Sequence, residues 1–367
     1  MNNNYDIVFR ADANPNIGMG HVMRCLSVAD AFNAIGKNVL FVLADDSVVS
    51  LINDRGFSTA VLKSDFRDME SELESWPDGL QPEIIILDSY FVTEGYFKNL
   101  KEKYPAGALT YIDDVATFPY PVDILVDYNA YGPYVDYEGL YAGADIKLPR
   151  LILGPTVTPL RGMFKGIPRK TQPEQVRDIL VSTGGSDELH LAIKLLQTIA
   201  NRDNEERVYH FLIGTMNKDR EEIHSMADGL ENVVLHENVT DMKSLIQSCD
   251  IAISAAGSTM YEICACGVPM LTYSIADNQI PGAEAFEKQG LALNVGDLRV
   301  PESIDANEVI SGELYADAQL RIIEAAEKLA DDYNLRCKIG TRMQELIDGC
   351  GAERLVEELI VGNRGSK

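Results

Sequence analysis

His21 is the residue with the clearest potential for chemistry, because it follows the tight loop Gly18-Met19-Gly20 and begins a helical pattern. A histidine exchanges a proton near neutral pH, so it can serve as a general base. The positive end of a helix dipole favours the neutral imidazole that a base requires. The alternative is a residue that only packs or hydrogen-bonds locally, and position alone leaves both interpretations open. The sequence contexts of the other histidines favour structural roles: His190, His210, His224 and His236.

Glycine occurs at three junctions between a strand and a helix: Gly18 and Gly20, Gly184 and Gly185 (followed by Ser186), and Gly257 (followed by Ser258 and Thr259). Glycine lets the backbone turn sharply and approach a ligand closely. The helix that follows offers unpaired N–H groups and a positive dipole end, which suits phosphate. None of the three matches the Walker pattern, and GMGHVM lacks the third glycine of a dinucleotide-binding loop.

Two acidic positions have a functional and a structural interpretation. Glu262 follows the third glycine junction, so it is either a solvated carboxylate near a helix N-terminus or an acceptor for a ribose diol. Asp113 and Asp114 follow a strand and could bind a metal ion. Adjacent residues on a strand point in opposite directions, which disfavours one shared ion, and we expect no metal site.

The elements that position these residues alternate between strand and helix in both halves of the chain. This rhythm predicts parallel sheets covered on both faces. We therefore expect an α/β protein with two Rossmann-like, doubly wound domains facing a cleft. The expected divisions are an N-terminal domain at 1–160 that carries the catalytic loop, a linker at 161–174, a C-terminal nucleotide-binding domain at 175–345, and a C-terminal helix or tail at 346–367. The acidic residues 65–79 are expected to be helical and then a loop, and residues 129–143 lack periodicity.

Composition restricts the partners. The 367 residues carry a formal net charge of -25, which repels nucleic acid and anionic membrane surfaces. No apolar run reaches the roughly 18 residues of a membrane helix, and MNNNYD is not a signal peptide. We expect a cytoplasmic protein. The six cysteines lack metal-site spacing, and we expect reduced thiols.

Several motifs together resemble one family. IGMGHVMRCLSVADAF, LDSYFV at 87–92, YIDD at 111–114, DYNAY at 127–131, STGGSD at 182–187 and SAAGSTMYEICACGVPML at 254–271 occur in the order of that family. It contains the UDP-2,4-diacetamido-2,4,6-trideoxy-β-L-altropyranose hydrolase of pseudaminic acid biosynthesis and the spore coat polysaccharide biosynthesis proteins. The resemblance covers nearly the whole chain and implies a fold similar to the GT-B glycosyltransferases.

The resemblance also implies roles for individual residues. His21 is expected to activate the attacking water, Tyr90 to be the second catalytic residue, and Glu262 to bind the ribose. The other candidate substrate-binding residues are Arg10, Gly18, Gly20, Arg24, Asn129, Gly184, Gly185, Ser186, Gly257, Ser258, Thr259, Asn278 and Gln279. The family is metal-independent, so no metal and no cofactor are expected.

The predicted activity is hydrolysis of a UDP-sugar at its anomeric carbon, with release of UDP. The loop Asp277-Asn278-Gln279 resembles the sugar-binding loop of the transferases as much as that of the hydrolase. The alternatives are therefore a UDP-sugar-dependent glycosyltransferase of GT-B type and a non-catalytic nucleotide-sugar-binding protein. The chain also has extra length near 67–82 and 298–313. The exact sugar, the oligomeric state and the role of these segments are not predicted.

Overall fold

The computed structural model describes residues 5–14, 17–202, 206–300 and 314–364, and of residues 362–364 it describes only the backbone. These residues form two compact units. The first comprises the described residues up to Gly162 and from Gly349 onward, and the second extends from Met163 to Asp348. Within the described ranges, no helix is long and apolar enough to cross a membrane.

The described residues form thirteen strands. They are β1 (Ile7–Ala11), β2 (Val39–Leu43), β3 (Ser58–Val61), β4 (Ile84–Asp88), β5 (Ala108–Ile112), β6 (Ile124–Asp127), β7 (Arg150–Leu153), β8 (Asp178–Ser182), β9 (Val208–Ile213), β10 (Val233–Glu237), β11 (Ile251–Ala255), β12 (Met270–Ser274) and β13 (Leu293–Asp297).

The α-helices in the same residues are α1 (Gly20–Ala34), α2 (Val49–Asp54), α3 (Glu94–Lys103), α4 (Tyr137–Tyr141), α5 (Leu191–Ala200), α6 (Arg220–Ala227), α7 (Met242–Ser248), α8 (Thr259–Cys266), α9 (Ile280–Lys288), α10 (Ala318–Asp331), α11 (Tyr333–Leu346) and α12 (Gly351–Arg364). Short 3-10 helices occupy Glu70–Ser75, Gly132–Tyr134, Pro155–Val157, Gly162–Phe164 and Asp277–Gln279.

The first unit is built on a seven-stranded parallel sheet in the order β3-β2-β1-β4-β5-β6-β7. In its centre, Phe9 of β1 is in register with Phe41 of β2 and Ile86 of β4. Because successive side chains alternate between faces, Phe9 packs in a core with α1 and α12, while Val8 packs in a second core on the opposite face. Burial on both faces explains why the central strands are continuous apolar runs.

The last helix belongs to the first unit. Leu355 and Leu359 of α12 are buried in the same core as Leu26 and Phe32 of α1. Fully burying an aliphatic or aromatic side chain contributes about 1.5–3 kcal/mol, so these contacts hold α12 firmly against α1. The helix thereby braces the element that begins at Gly20 and His21.

The second unit contains a six-stranded parallel sheet in the order β10-β9-β8-β11-β12-β13. Its helix α5 shows the expected amphipathic pattern, with Leu191, Leu195 and Ile199 buried. The two parallel sheets confirm the α/β class with two Rossmann-like domains that the alternating pattern predicts, and the predicted domain boundaries stay predictions.

Four local features differ from the prediction or fall outside the described residues. The acidic stretch 65–79 forms only the 3-10 helix Glu70–Ser75, and residues 129–143 contain a 3-10 helix and α4 where no element was predicted. Strand β13 was not predicted, because a five-residue sequence with a glycine, LNVGD, gives little periodic signal. Most of the extra segment near 298–313 lies outside the described residues.

Candidate active site

Each sheet has one point at which the direction of strand addition reverses. In the first unit it lies between β1 and β4, and in the second between β8 and β11. Open α/β sheets bind ligands beyond the carboxyl ends of the strands at such a point. The loops after β1 and β4 lead to His21 and Tyr90, and the loops after β8 and β11 contain Gly184 and Gly257. The topology thus selects the segments that the sequence motifs indicate.

His21 and Asp88 form the centre of the site in the first unit. Nδ1 of His21 lies 2.6 Å from Oδ1 of Asp88, although the residues are 67 positions apart. Asp88 is the last residue of β4 and is fully buried, and His21 is 6% exposed. Their proximity follows from the pairing of β1 with β4, which places the ends of the two strands side by side.

The hydrogen bond defines the tautomer of His21. A carboxylate can only accept, so a 2.6 Å contact requires the proton on Nδ1. In the neutral imidazole, Nε2 then carries the free lone pair. This is the arrangement in which a carboxylate orients a histidine that acts as a base.

Arg24 keeps Asp88 ionised. Its Nε and Nη2 donate to the two carboxylate oxygens of Asp88, both at 2.5 Å. Burial opposes the charge of Asp88, but Arg24 and His21 more than offset this effect, so the pKa of the Asp88 carboxyl lies well below its usual range. A buried aspartate without such a cation would tend to become protonated.

Tyr90 lies beside His21 on the loop after β4. The two rings meet edge to face, with centroids 4.7 Å apart. The Tyr90 hydroxyl donates to Oδ2 of Asp114 at 2.9 Å, while 52% of the residue remains exposed. Burial of the hydroxyl and the Asp114 carboxylate raise its pKa well above the usual value, so Tyr90 stays a neutral phenol. A small recess at this place is lined by Asp12, Ile17, His21, Phe66, Asp88, Ser89, Tyr90 and Phe91.

Arg10 is placed differently from the neighbouring candidates. Its guanidinium is fully buried and donates to both carboxylate oxygens of Glu72, each at 2.7 Å, and it also pairs with Asp12. The hydroxyl of Tyr96 donates to the same Glu72 at 2.6 Å. This network ties the 3-10 helix at 70–75, within the extra segment, to β1. Substrate binding by Arg10 stays a prediction.

The remaining candidates of the first unit lie on its loops. Gly18 has a φ of +72°, a conformation that favours glycine, and Gly20 is the first residue of α1. The side-chain amide of Asn129 donates to Oδ1 of Asp127 at 2.9 Å. Burial, together with Asp113 and Asp114, raises the pKa of Asp127 to about 7.

Glycine shapes the loop after β8 in the second unit. Gly184 has a φ of +97°, and Gly184 and Gly185 are exposed while Ser186 is half-buried. A side chain at Gly214 would collide with the carbonyl oxygen of Gly185, so this glycine allows the loop after β9 to approach the loop after β8. The buried Asp187 accepts hydrogen bonds from the N–H groups of Leu191 and Ala192 and thereby caps α5.

The loop after β11 leads directly into α8. Gly257 and Ser258 are exposed, with no atom within 4 Å of a Cβ built at Gly257. Thr259 begins α8, and Glu262 lies in its first turn. Beyond β12, Asn278 is exposed, and Oε1 of Gln279 accepts from the Ile275 N–H at 2.9 Å. The three loops belong to the same sheet edge, since β8, β11 and β12 are adjacent and parallel.

The adjacent acids Asp113 and Asp114 have separate surroundings. Asp113 is buried and accepts from the hydroxyls of Tyr120 and Tyr137. Asp114 instead faces Arg24 and Tyr90. In the described part of the chain, no group of three or more His, Cys, Asp or Glu side chains is arranged to hold a metal ion.

Sequence reasoning missed Asp88, Asp114 and Tyr128 as members of this site. A usable signal existed for Asp88. A charged residue that ends the aliphatic run IIIL of a central strand must either find a partner or face a ligand. Asp114 and Tyr128 lie in the motifs YIDD and DYNAY, but their shared partner Arg24 is 90 and 104 positions away, so the sequence did not indicate these contacts.

Comparisons with known proteins agree with this architecture. Residues 179–311 match the glycosyltransferase family 28 C-terminal domain. The spore coat polysaccharide biosynthesis protein SpsG of Bacillus subtilis is 29% identical over 217 residues, which are 59% of this chain and 56% of that protein. The UDP-2,4-diacetamido-2,4,6-trideoxy-β-L-altropyranose hydrolase of Campylobacter jejuni is 24% identical over 254 residues, 68% of this chain and 85% of the hydrolase.

Among solved structures, Acinetobacter baumannii MurG superposes with a TM-score of 0.64 at 12% identity, covering 97% of this chain and 99% of MurG. This likeness shows the fold alone. Together with the relatives, it confirms the resemblance and the fold class predicted from the motifs. The chain has a GT-B-like fold and is similar in sequence to the spore coat polysaccharide biosynthesis protein and to the altropyranose hydrolase.

Proposed function

We propose that the protein hydrolyses a UDP-linked diacetamido-trideoxy sugar and that His21 is the general base. The observation that carries this proposal is the 2.6 Å hydrogen bond from His21 Nδ1 to the buried, ionised Asp88. It orients the imidazole and leaves Nε2 free to accept a proton from water. The names of the relatives support the substrate class and a role in pseudaminic acid or surface polysaccharide biosynthesis.

In the proposed step, a water oxygen forms a bond to the anomeric carbon while the bond from that carbon to the diphosphate oxygen breaks. The water proton moves to Nε2 of His21, and UDP leaves with the electron pair. Because UDP is a good leaving group, little acid assistance is needed. A positioned base contributes about 10²–10⁴ in rate, and alignment and electrostatic stabilisation supply the rest. The step uses no metal or cofactor, and EDTA should leave the rate unchanged.

Tyr90 has a positioning part in this scheme. Its phenol remains protonated and donates to Asp114, so it does not exchange protons with the substrate at neutral pH. Its ring fixes one side of the imidazole, and its exposed face is available for contact with the sugar. Removing the Tyr90 hydroxyl alone should therefore lower the rate of UDP release less than removing the His21 imidazole does.

The loops of the second unit are the proposed nucleotide-binding elements. A chain with a net charge of -25 repels a diphosphate at long range, so backbone amides and helix N-termini must provide local attraction. The exposed turns at Gly184-Gly185 and Gly257-Ser258 have the open space that such contacts require. Glu262 is the proposed acceptor for the ribose hydroxyls, and Asn278 and Gln279 the proposed contacts to the sugar.

One observation favours a glycosyltransferase as the second candidate. Met19, Tyr90, Val115 and Tyr134 are exposed by 45%, 52%, 48% and 51%, and they lie on segments that follow β1, β4, β5 and β6. Exposed apolar side chains at this edge would suit an apolar acceptor. In that case a sugar hydroxyl or another acceptor would replace water as the nucleophile.

Incubation of the full chain with a panel of UDP-sugars in the absence of any acceptor tests the proposal. A hydrolase releases UDP and free sugar in equal amounts, and the best substrate identifies the sugar. A transferase would show turnover only after an acceptor is added, which would overturn the proposal in favour of the second candidate. Tight UDP binding with no turnover under either condition would indicate a non-catalytic binding protein.

A further inference from the structure

Arg24 lies one helical turn after His21, and its side chain is only 13% exposed. The sequence pattern assigns it to substrate binding. In the structure its Nε and Nη2 donate to the two oxygens of Asp88, as described above. Its Nη1 donates to the Tyr128 hydroxyl at 2.6 Å and to Asp114 Oδ2 at 3.3 Å.

These contacts take up most of the hydrogen-bonding capacity of the side chain. A guanidinium carries five N–H groups, and four of them already have protein acceptors. Nη2 also lies 2.9 Å from Nδ1 of His21. Since Nδ1 is itself a donor to Asp88, this proximity is a contact between the guanidinium charge and the imidazole. Little of Arg24 remains available for a substrate.

We propose that Arg24 is a positioning residue of the His21–Asp88 pair and not a substrate-binding residue. This inference rests on the proposed function of His21 as the base. Arg24 holds Asp88 as a carboxylate in the orientation that accepts the Nδ1 proton. Its Nη2 also contacts Nδ1 of the imidazole at 2.9 Å, on the side of the ring that faces Asp88.

The other groups around the pair determine the sign of the effect. Asp88 comes from β4, Asp114 from the loop after β5 and Tyr128 from the segment after β6. The hydroxyl of Tyr90 faces Asp114, and Cys25 Sγ lies 3.5 Å from Asp88 Oδ2. The buried Asp12 lines the same recess, although its carboxylate is paired with Arg10. Arg24 thus pairs with both Asp88 and Asp114, and its loss leaves the Asp88 carboxylate beside the imidazole without that cation.

The test compares wild type, Arg24→Gln and Arg24→Lys by the pH dependence of UDP release and by NMR titration of the His21 ring. His21→Asn identifies the His21 signal. In Arg24→Gln we expect two changes of about one pH unit. The pH below which UDP release declines should rise, and so should the midpoint of the His21 NMR titration. We expect kcat to fall about 10- to 100-fold with little change in KM. Arg24→Lys retains the charge and should largely restore the titration, but not the full kcat, because it lacks the planar fork.

A KM that rises about tenfold with an unchanged acidic limb would instead show that Arg24 binds substrate, and would overturn the inference. The NMR titration also separates this inference from the proposed function. If wild type hydrolyses no UDP-sugar, the proposed function fails, while the titration still reports whether Arg24 controls His21.

Asp114→Asn provides a second variant if Arg24→Gln does not fold, as judged by thermal unfolding. It removes a negative charge but leaves Arg24 paired with Asp88. We therefore expect the His21 titration to move in the opposite direction, to lower pH, by a smaller amount. A residue with a merely structural role would not produce shifts of opposite sign. An unchanged titration in both variants, or in Asp114→Asn alone if only that variant folds, would contradict the inference.

Discussion

The carboxyl edges of the two sheets differ in what occupies them. At the edge of the first sheet, ionisable side chains form one hydrogen-bonded network, which consists of His21, Arg24, Asp88 and Asp114. At the edge of the second sheet, exposed glycine turns at 184–185 and 257 are the main feature. The same topological position thus carries a network of ionisable side chains in one unit and exposed glycine turns in the other.

Charge supports the same contrast. The first edge carries Asp88, Asp113 and Asp114 against Arg24, so it is a poor place for a diphosphate. Two carboxylates at the second edge, Asp187 and Asp277, are paired within the protein. Asp187 caps α5, and Asp277 pairs with Arg299 at 2.7 Å. Backbone amides can therefore determine the local potential at the second edge.

The largest expected effect comes from removing the base at the first edge. His21→Asn should lower the rate of UDP release by about 10²–10⁴ and leave the affinity for UDP nearly unchanged, because the loops proposed to bind the nucleotide belong to the second unit. Steady-state kinetics and calorimetry with UDP measure the two quantities. His224→Asn, at a half-exposed histidine of α6 whose Nε2 lies 3.4 Å from Glu237, is the matched control. If His21→Asn releases UDP at the wild-type rate, His21 is not the base and the role proposed for the first edge is wrong.

The opposite pattern is expected at the second edge. In Gly257→Ala, the added methyl group has space in the protein but would occupy the position proposed for the diphosphate. Loss of one charge-assisted hydrogen bond costs about 1.5–3 kcal/mol, so the Kd for UDP should rise about ten- to hundredfold, with a smaller change in kcat. Gly162→Ala, which also has no neighbour within 4 Å, is the control. Unchanged UDP binding in Gly257→Ala would place the nucleotide elsewhere.

A smaller effect, on stability, is expected from Asp127 at the first edge. The pKa of this buried carboxyl is raised to about 7, above its value of about 4 in an unfolded chain. The folded state therefore binds one more proton than the unfolded state between these values, and stability falls as pH rises from about 4 to 7. Asp127→Asn should remove this fall and raise Tm at pH 8 by a few degrees.

Thermal unfolding at pH 4.5 and pH 8 measures this difference. Asp46→Asn, at an exposed loop position, removes a charge without touching the network and controls for net charge. If Asp127→Asn and wild type lose the same amount of stability as pH rises, Asp127 is ionised in the folded protein. The raised pKa of Asp127 is then wrong.

Features that depend on neighbouring residues could be predicted from the sequence, whereas contacts between residues far apart in the sequence could not. Apolar runs and glycine junctions are local patterns, so the alternation of strand and helix and the two-sheet class could be predicted. Asp88 could not be assigned to His21 without the pairing of β1 with β4, which joins residues 67 positions apart. Arg10 shows the same limit: its burial depends on Glu72, 62 positions away, in a segment that was predicted to be an ordinary acidic helix.

The most direct test is to run the reaction in water labelled with ¹⁸O and to analyse the released UDP by mass spectrometry. It shows whether water attacks the anomeric carbon, as proposed for the first edge, or the diphosphate assigned to the second edge. If His21 directs water to the anomeric carbon, the label enters the sugar and the UDP contains none. Label in the β-phosphate of UDP would mean that water attacks phosphorus. That result would contradict the account, because the nucleophile would then act on the diphosphate assigned to the second edge.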